Sequence, residues 1–128
     1  MNGTLRAALG IGLILLVALL GGVLTRQQGA GGYESGDYRS YYSDSVRVVL
    51  YGTDWCQYCA RARAYFNAKG VAWHDLDVEK QPAAAQQFER LGGTGYPVVL
   101  IGNRKISGFD PIEYDAALAA LQAPQAAN

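Results

Sequence analysis

Val46-Arg47-Val48-Val49-Leu50-Tyr51-Gly52-Thr53-Asp54-Trp55-Cys56-Gln57-Tyr58-Cys59 is the stretch that decides how this chain folds. Val46–Tyr51 is a nearly continuous apolar run, the pattern of a strand buried on both faces of a mostly parallel sheet. Gly52-Thr53-Asp54 interrupts it. A helical pattern then runs from Cys56 to Lys69 and ends at Gly70, a residue suited to close a helix. Cys56 and Cys59 are the only 2 cysteines in the chain. Residues i and i+3 share one helix face, so the two sulfurs can bond at a Cα separation of roughly 5–6 Å. The first thiol falls at the helix N-terminus, where unpaired N–H groups and the macrodipole stabilise a thiolate. The second lies one turn inward and is the more buried.

A pair that forms and breaks a disulfide is the chemistry this spacing suits best. A structural disulfide is a weaker alternative, because closing so short a loop removes little entropy from the unfolded chain. Zinc requires four ligands, and beyond the pair the chain offers 1 histidine, some carboxylates and no second CxxC. No metal site is therefore expected. Two inert helix cysteines are the third alternative.

Outward from this stretch, the folded part reads as a short series of elements. Val71–Val78 alternates as a second strand. Pro82–Leu91 is a helix with proline in its first turn and glycines after it. Val98–Ile101 and Arg104–Ser107 are short strands joined by Gly102-Asn103, a hairpin signal. Asp110-Pro111 supplies an N-cap and a first-turn proline for a last helix through Leu121. The expected order is β-α-β-α-β-β-α, an α/β fold.

That order, the CxxC at the first βα junction and the proline just before the third strand resemble the glutaredoxin family of the thioredoxin-like fold. The resemblance covers about Val46 to Leu121. The family's Cys-Pro-Tyr-Cys stands here as Cys56-Gln57-Tyr58-Cys59, and the resemblance implies that Cys56 is the nucleophile and Cys59 the resolving thiol. Tyr96-Pro97 falls where the family has a cis-proline, whose preceding backbone is presented to a bound peptide or to glutathione. The resemblance also implies a substrate surface made of Trp55, Tyr58, Tyr96, Pro97, Gly108, Phe109 and Asp110. The chain departs from the family at two places. Thr53 occupies the site of a lysine that contacts glutathione, and the Gly-Gly before the final helix reads Ser107-Gly108, followed by Phe109. Ser107-Gly108-Phe109 is similar to the glutaredoxin-like redoxins that serve ribonucleotide reductase and are reduced by thioredoxin reductase. Trp55 before the first cysteine is a thioredoxin-like feature.

Other residues near the motif read as follows. Asp54 can bond a helix N–H, and its charge opposes thiolate formation nearby. Arg61 and Arg63 read as solvated helix face, and His74 as a surface or packing residue in the second strand, away from the CxxC junction.

The N-terminal portion has a different character. Ala7–Thr25 carries no charge and is flanked by Arg6 and Arg26. About 19 residues at about 1.5 Å rise give roughly 28 Å, enough to cross a bilayer core. The apolar stretch exceeds the roughly 7–15 residues of a signal peptide and ends in a poor cleavage site, so residues 1–26 read as an uncleaved anchor. The flanking charges tilt slightly toward a cytoplasmic N-terminus and an exported, periplasmic domain. Residues 27–44, with glycine, serine and four tyrosines (Tyr33, Tyr38, Tyr41, Tyr42), read as a flexible linker. Residues 45–123 form the glutaredoxin-like domain and 124–128 a tail.

With 128 residues there is room for one ordinary domain. The formal net charge is zero with no basic stripe, so nucleic acid is not expected as a partner. The expected activity is thiol–disulfide exchange with protein disulfides or glutathionylated substrates. No cofactor is needed; glutathione is a possible co-substrate, and either it or a thioredoxin-reductase-type system is the expected reductant. The rival readings are a glutathione-independent thioredoxin-like reductase, a non-catalytic membrane-tethered redox-sensing or binding module, and an iron–sulfur scaffold.

Overall fold

A computed structural model describes residues 32–123. The stretch at residues 1–26 expected to be an anchor and the expected tail at 124–128 lie outside the described residues. Among the described residues no helix is long and apolar enough to cross a membrane.

Among the described residues five strands and three α-helices follow one another: β1 (Tyr33–Ser35), β2 (Val48–Gly52), α1 (Gln57–Lys69), β3 (His74–Asp77), α2 (Pro82–Arg90), β4 (Val98–Ile101), β5 (Arg104–Ser107) and α3 (Pro111–Gln122). They make one sheet in the order β1-β5-β4-β2-β3. β2 and β3 are parallel, with Val49 opposite His74 and Gly52 opposite Asp77. The remaining pairs are antiparallel.

Strand alternation divides the core in two. Val48 and Leu50 of β2, with Val99 and Ile101 of β4, face Ala62 and Phe66 of α1 and Tyr114, Ala117 and Leu118 of α3. Val49 and Tyr51, with Val98 and Leu100, face Ala84 and Phe88 of α2. Because side chains alternate at period 2 and both faces are covered, the central strands are apolar throughout. That is why Val48–Gly52 and Val98–Ile101 read as continuous runs.

The β4–β5 hairpin has the expected bounds, and Gly102 takes the positive φ of 61° that suits the first loop position. α1 ends at Gly70 with φ 65°. Two strands differ from expectation. The first starts at Val48 rather than Val46, because its pairing with β4 ends opposite Ile101, where the hairpin turns away. The second is confined to His74–Asp77, since Val71 and Trp73 pack against the α1/α3 core instead of entering the sheet.

The linker reading is corrected from Tyr33 onward. Tyr33–Ser35 pairs with β5, placing Tyr33 opposite Ile106 and Ser35 opposite Arg104. Left open, β5 would present a row of unpaired N–H and C=O groups, and β1 satisfies them. The Arg104 guanidinium lies 4.2 Å from the Tyr33 ring centroid. Arg39–Tyr41 forms a 3-10 turn, and Tyr38, Tyr41 and Tyr42 pack on the α2 side of the sheet. Tyr42 donates its hydroxyl to the Gly102 carbonyl at 2.8 Å. The expected fold therefore carries an additional edge strand, and the folded unit includes β1 rather than beginning at residue 45.

Candidate active site

Cys56 sits at the N-cap of α1 in extended conformation rather than inside the helix, and its Sγ accepts the Cys59 backbone N–H at 3.2 Å. The sulfur thus does what a serine or aspartate oxygen does at a helix start. Both cysteines are free thiols. Cys56 keeps 7% of its surface exposed and Cys59 none. Burial, reinforced by the contact with Cys56, pushes the Cys59 thiol up to about 12, while the Thr53 backbone N–H and the Arg63 charge pull the other way.

β2 delivers its end directly onto this pair. A Cβ on Gly52 would stand 2.8 Å from Cys59 Sγ, so the strand approaches the thiol only because the side chain is absent. Thr53 follows, fully buried, and its hydroxyl has no hydrogen-bond partner. The family's lysine position is therefore an interior one here.

Asp54 is exposed and forms an ion pair with Lys80, which holds its carboxyl below the usual carboxylate range. Its charge beside Cys56 is consequently offset, and it does not cap the helix. Trp55 is 67% exposed. Its indole donates to Glu79 Oε1 at 2.9 Å and meets the Tyr96 ring edge-on at 5.8 Å. Tyr96 in turn stacks on Phe88. Tyr58 is exposed, with the Arg61 guanidinium 5.4 Å from its ring centroid.

The Tyr96–Pro97 bond is cis. Gly108 donates its N–H to the Pro97 carbonyl at 2.7 Å, and its own carbonyl accepts the Tyr114 hydroxyl at 2.7 Å. The loop before α3 is thereby tied to the start of β4. Trp55, Tyr96, Pro97 and Gly108 form one connected rim next to the cysteines.

Two further residues expected on this rim also make contacts within the fold. Phe109 packs edge-on against Tyr65 and Tyr114. Asp110 caps α3, its Oδ1 accepting the N–H groups of Ile112 and Glu113 at 3.1 Å. His74 is exposed, with Nε2 3.3 Å from Ser43 Oγ.

Arg63 departs most from the sequence reading. It folds back over the end of β2, donating from Nε to Asp75 Oδ2 at 2.8 Å and from Nη2 to the Thr53 carbonyl at 3.2 Å. Its place four residues after Cys59 was the available signal, since i and i+4 share a helix face. Ile112 also belongs among the residues that sequence reasoning passed over. With Trp55 and Tyr58 it completes the large hydrophobic side chains left exposed among the described residues, and it sits in the first turn after the Gly108–Asp110 loop.

The glutaredoxin family model matches residues 48–106, from the start of β2 nearly to the end of β5. The glutaredoxin of Pseudomonas aeruginosa is 33% identical over 66 residues, which cover 51% of this chain and 79% of that one. The chain belongs to the glutaredoxin family. Glutaredoxin 3 of Escherichia coli is similarly related, at 32% identity over 68 residues covering 52% of this chain and 82% of the relative. As a glutaredoxin, the protein is a thiol–disulfide oxidoreductase. Among solved structures, the glutaredoxin-like protein NrdH-redoxin from Escherichia coli superposes with TM-score 0.52 at 26% identity, covering 62% of this chain and all 100% of that one. The Archaeoglobus fulgidus glutaredoxin shares the fold, with TM-score 0.53 at 20% identity over 61% of this chain and 91% of that one. β1 lies outside the family match.

Proposed function

We propose that Cys56 is the attacking thiol and Cys59 the resolving thiol in exchange with protein disulfides and, more weakly, glutathione mixed disulfides. The observation that carries the assignment is the unlike setting of the two sulfurs. One is at a helix start with a hydrogen bond from Cys59 N–H, and the other is fully buried with its thiol pushed up to about 12. Cys56 thiolate attacks one sulfur of the substrate disulfide, a mixed disulfide forms, and the other substrate sulfur leaves as a thiolate. Cys59, once deprotonated, attacks Cys56 Sγ. The second substrate sulfur leaves, and the Cys56–Cys59 disulfide carries the two electrons' worth of oxidation. An external thiol reductant closes the cycle. No metal or organic cofactor enters any step.

The substrate surface proposed is Trp55, Tyr58, Tyr96, Pro97 and Gly108. Exposed Trp55 and Tyr58 beside the sulfurs suit the side chains of a polypeptide, since aromatic rings supply large contact area at little entropic cost. Buried Thr53, where the family carries lysine, leaves one charged contact to a glutathione carboxylate unmade. Such contacts contribute about 1.5–3 kcal/mol, or roughly ten- to hundredfold in affinity. Ser107-Gly108-Phe109 favours a second reading, reduction by a thioredoxin-reductase-type system. The Escherichia coli NrdH-redoxin, which superposes on this chain, is described as having a thioredoxin-like activity profile.

Insulin reduction driven by a thioredoxin-type system, set against turnover of a glutathionylated peptide with glutathione, tests the reading. Insulin reduction is expected to be the faster. Efficient glutathione-driven turnover with no insulin reduction would overturn the preference.

We propose further that Ala7–Thr25 anchors the chain once in a membrane, with the domain exported. The uncharged length of the stretch supports this. Full-length protein should remain in the membrane fraction after a carbonate wash. Recovery of a soluble species whose N-terminus lies near Gly31 would establish cleavage instead.

A further inference from the structure

The dithiol cycle poses a problem at its second step. Cys59 must act as a thiolate, yet it has no exposed surface, and burial of a thiol in apolar surroundings disfavours its charged form. Its neighbours there are apolar in large part. Gly52 and Leu50 close the β2 side, and Tyr114 approaches from α3 with its hydroxyl committed to the Gly108 carbonyl. The charged or polar groups that bear on the sulfur are Cys56, the Thr53 amide and Arg63, with Asp54 and Asp75 around the guanidinium.

Arg63 is held in an unusual way for a helix-surface arginine. Its side chain is only 21% exposed, pinned by Asp75 of β3 on one edge and by the Thr53 carbonyl on the other. The carbonyl it grips belongs to the same residue whose amide faces Cys59. One guanidinium therefore fixes the end of β2 and sits on the Cys59 side of the helix. Arg61, two residues earlier, provides the contrast: exposed, over the Tyr58 ring, and without a bond to β2.

We propose that Arg63 is a positioning residue for the resolving step, holding Thr53 against Cys59 and placing a positive charge beside the sulfur that must ionise. Arg63 touches no substrate atom. It speeds attack of Cys59 on the mixed disulfide without changing capture by Cys56. The inference rests on the proposed roles of the two cysteines.

Reaction of the reduced full-length chain with 5,5′-dithiobis(2-nitrobenzoate) separates the two steps. Cys56 releases one thionitrobenzoate as it forms the mixed disulfide, and Cys59 releases the second as the Cys56–Cys59 bond forms. Arg63→Gln should leave the first phase near the unaltered rate and slow the second about tenfold, the change that one unit of thiol acidity makes. Its second phase should also recover at higher pH. Arg63→Lys, which keeps the charge, should restore most of the rate, and Arg61→Gln, which removes equal charge from the same helix, should not slow it. A second phase unchanged in Arg63→Gln, or slowed equally in Arg61→Gln, overturns the proposal. Should Arg63→Gln fail to fold, Asp75→Asn decides: a purely structural ion pair predicts slower resolution there, whereas retained positive charge predicts none. Absence of the first phase in the unaltered protein would instead overturn the cysteine assignment itself.

Discussion

Cys59 donates its backbone N–H to Cys56 Sγ at 3.2 Å, so the sulfur of one cysteine caps the helix that buries the other. The two thiols are a helix turn apart and chemically unlike. At the cap position the Cys56 sulfur accepts one of the helix's otherwise orphan N–H groups. Cys59, inside the first turn, has only the Thr53 amide and Arg63 to set against its burial.

The first prediction is an order of alkylation. Cys56 keeps some exposed surface while Cys59 is fully buried with its thiol pushed up, so iodoacetamide at neutral pH should modify Cys56 and leave Cys59 free. Labelling of Cys59 in a Cys56→Ser background should climb about tenfold per pH unit, because burial holds its thiol above the ordinary range even without Cys56. Peptide mapping of the alkylated sites reads this directly. Earlier modification of Cys59 would reverse the assignment.

Single-cysteine variants should behave asymmetrically. Cys56→Ser should abolish exchange with every disulfide. Cys59→Ser should still capture substrate, accumulate the mixed disulfide, and keep monothiol turnover of glutathionylated peptide. Intact-mass measurement after substrate exposure distinguishes the two, and a trapped adduct on Cys56→Ser would count against the scheme.

The raised Cys59 thiol also has a consequence for stability. The folded state holds this proton more tightly than the unfolded chain does, so the contribution is fully present below the ordinary thiol value of 9.0. It is lost as pH rises toward about 12. The reduced protein should therefore lose melting temperature over that interval more steeply than Cys59→Ala. Burial likewise pushes the Tyr114 hydroxyl up, so the comparison must be between the two proteins and not with neutral pH. Equal slopes would mean that Cys59 ionises without penalty.

Thr53 carries a buried hydroxyl with nothing to bond. An unsatisfied buried group destabilises by about 1–3 kcal/mol. Thr53→Val keeps the branched shape and removes the hydroxyl, and should raise stability to chemical denaturation by about 1 kcal/mol, near the low end of that penalty. Thr53→Lys should do the opposite, because an ammonium would be placed where no side-chain surface reaches water. A destabilised valine variant would show that the hydroxyl does useful work in the fold.

Much of this architecture was legible from local patterns. The helix bounds, the hairpin at Gly102 and the Asp110 cap follow from short-range chemistry: periodicity, turn residues and N-cap preference. β1 was not legible, because Tyr33–Ser35 has no pattern of its own and exists through pairing with Ile106, Lys105 and Arg104, about seventy residues away in sequence. Glycine and serine around the tyrosines suggested a tether, whereas partial burial of the aromatic rings on the sheet outweighs that local preference. The site divides the same way. The dithiol spacing picks out Cys56 and Cys59 as a local pair, whereas the packing of Phe109 against Tyr65 and Tyr114 depends on distant partners that spacing does not show. Arg63 reads as solvated face because periodicity does not reveal that its guanidinium returns to the Thr53 carbonyl.

The last prediction tests β1 through a buried lysine. Lys105 is only 8% exposed, and its ammonium donates to the Leu91 carbonyl at 2.7 Å and pairs with Glu34 Oε2 at 2.8 Å. A buried ammonium needs such partners. Glu34 is itself 69% exposed, so its half of the pair is screened by water. Glu34→Gln should consequently lower stability by less than about 1 kcal/mol. Lys105→Met removes the ammonium and leaves the Leu91 carbonyl unpaired, for a loss of about 1–3 kcal/mol. In the double variant the Glu34 effect should vanish, since the ammonium it pairs with is gone. Urea denaturation of the four proteins measures all three quantities. If the effects of Glu34→Gln and Lys105→Met simply add, the two residues are not coupled, and β1 is not held to β5 through this pair.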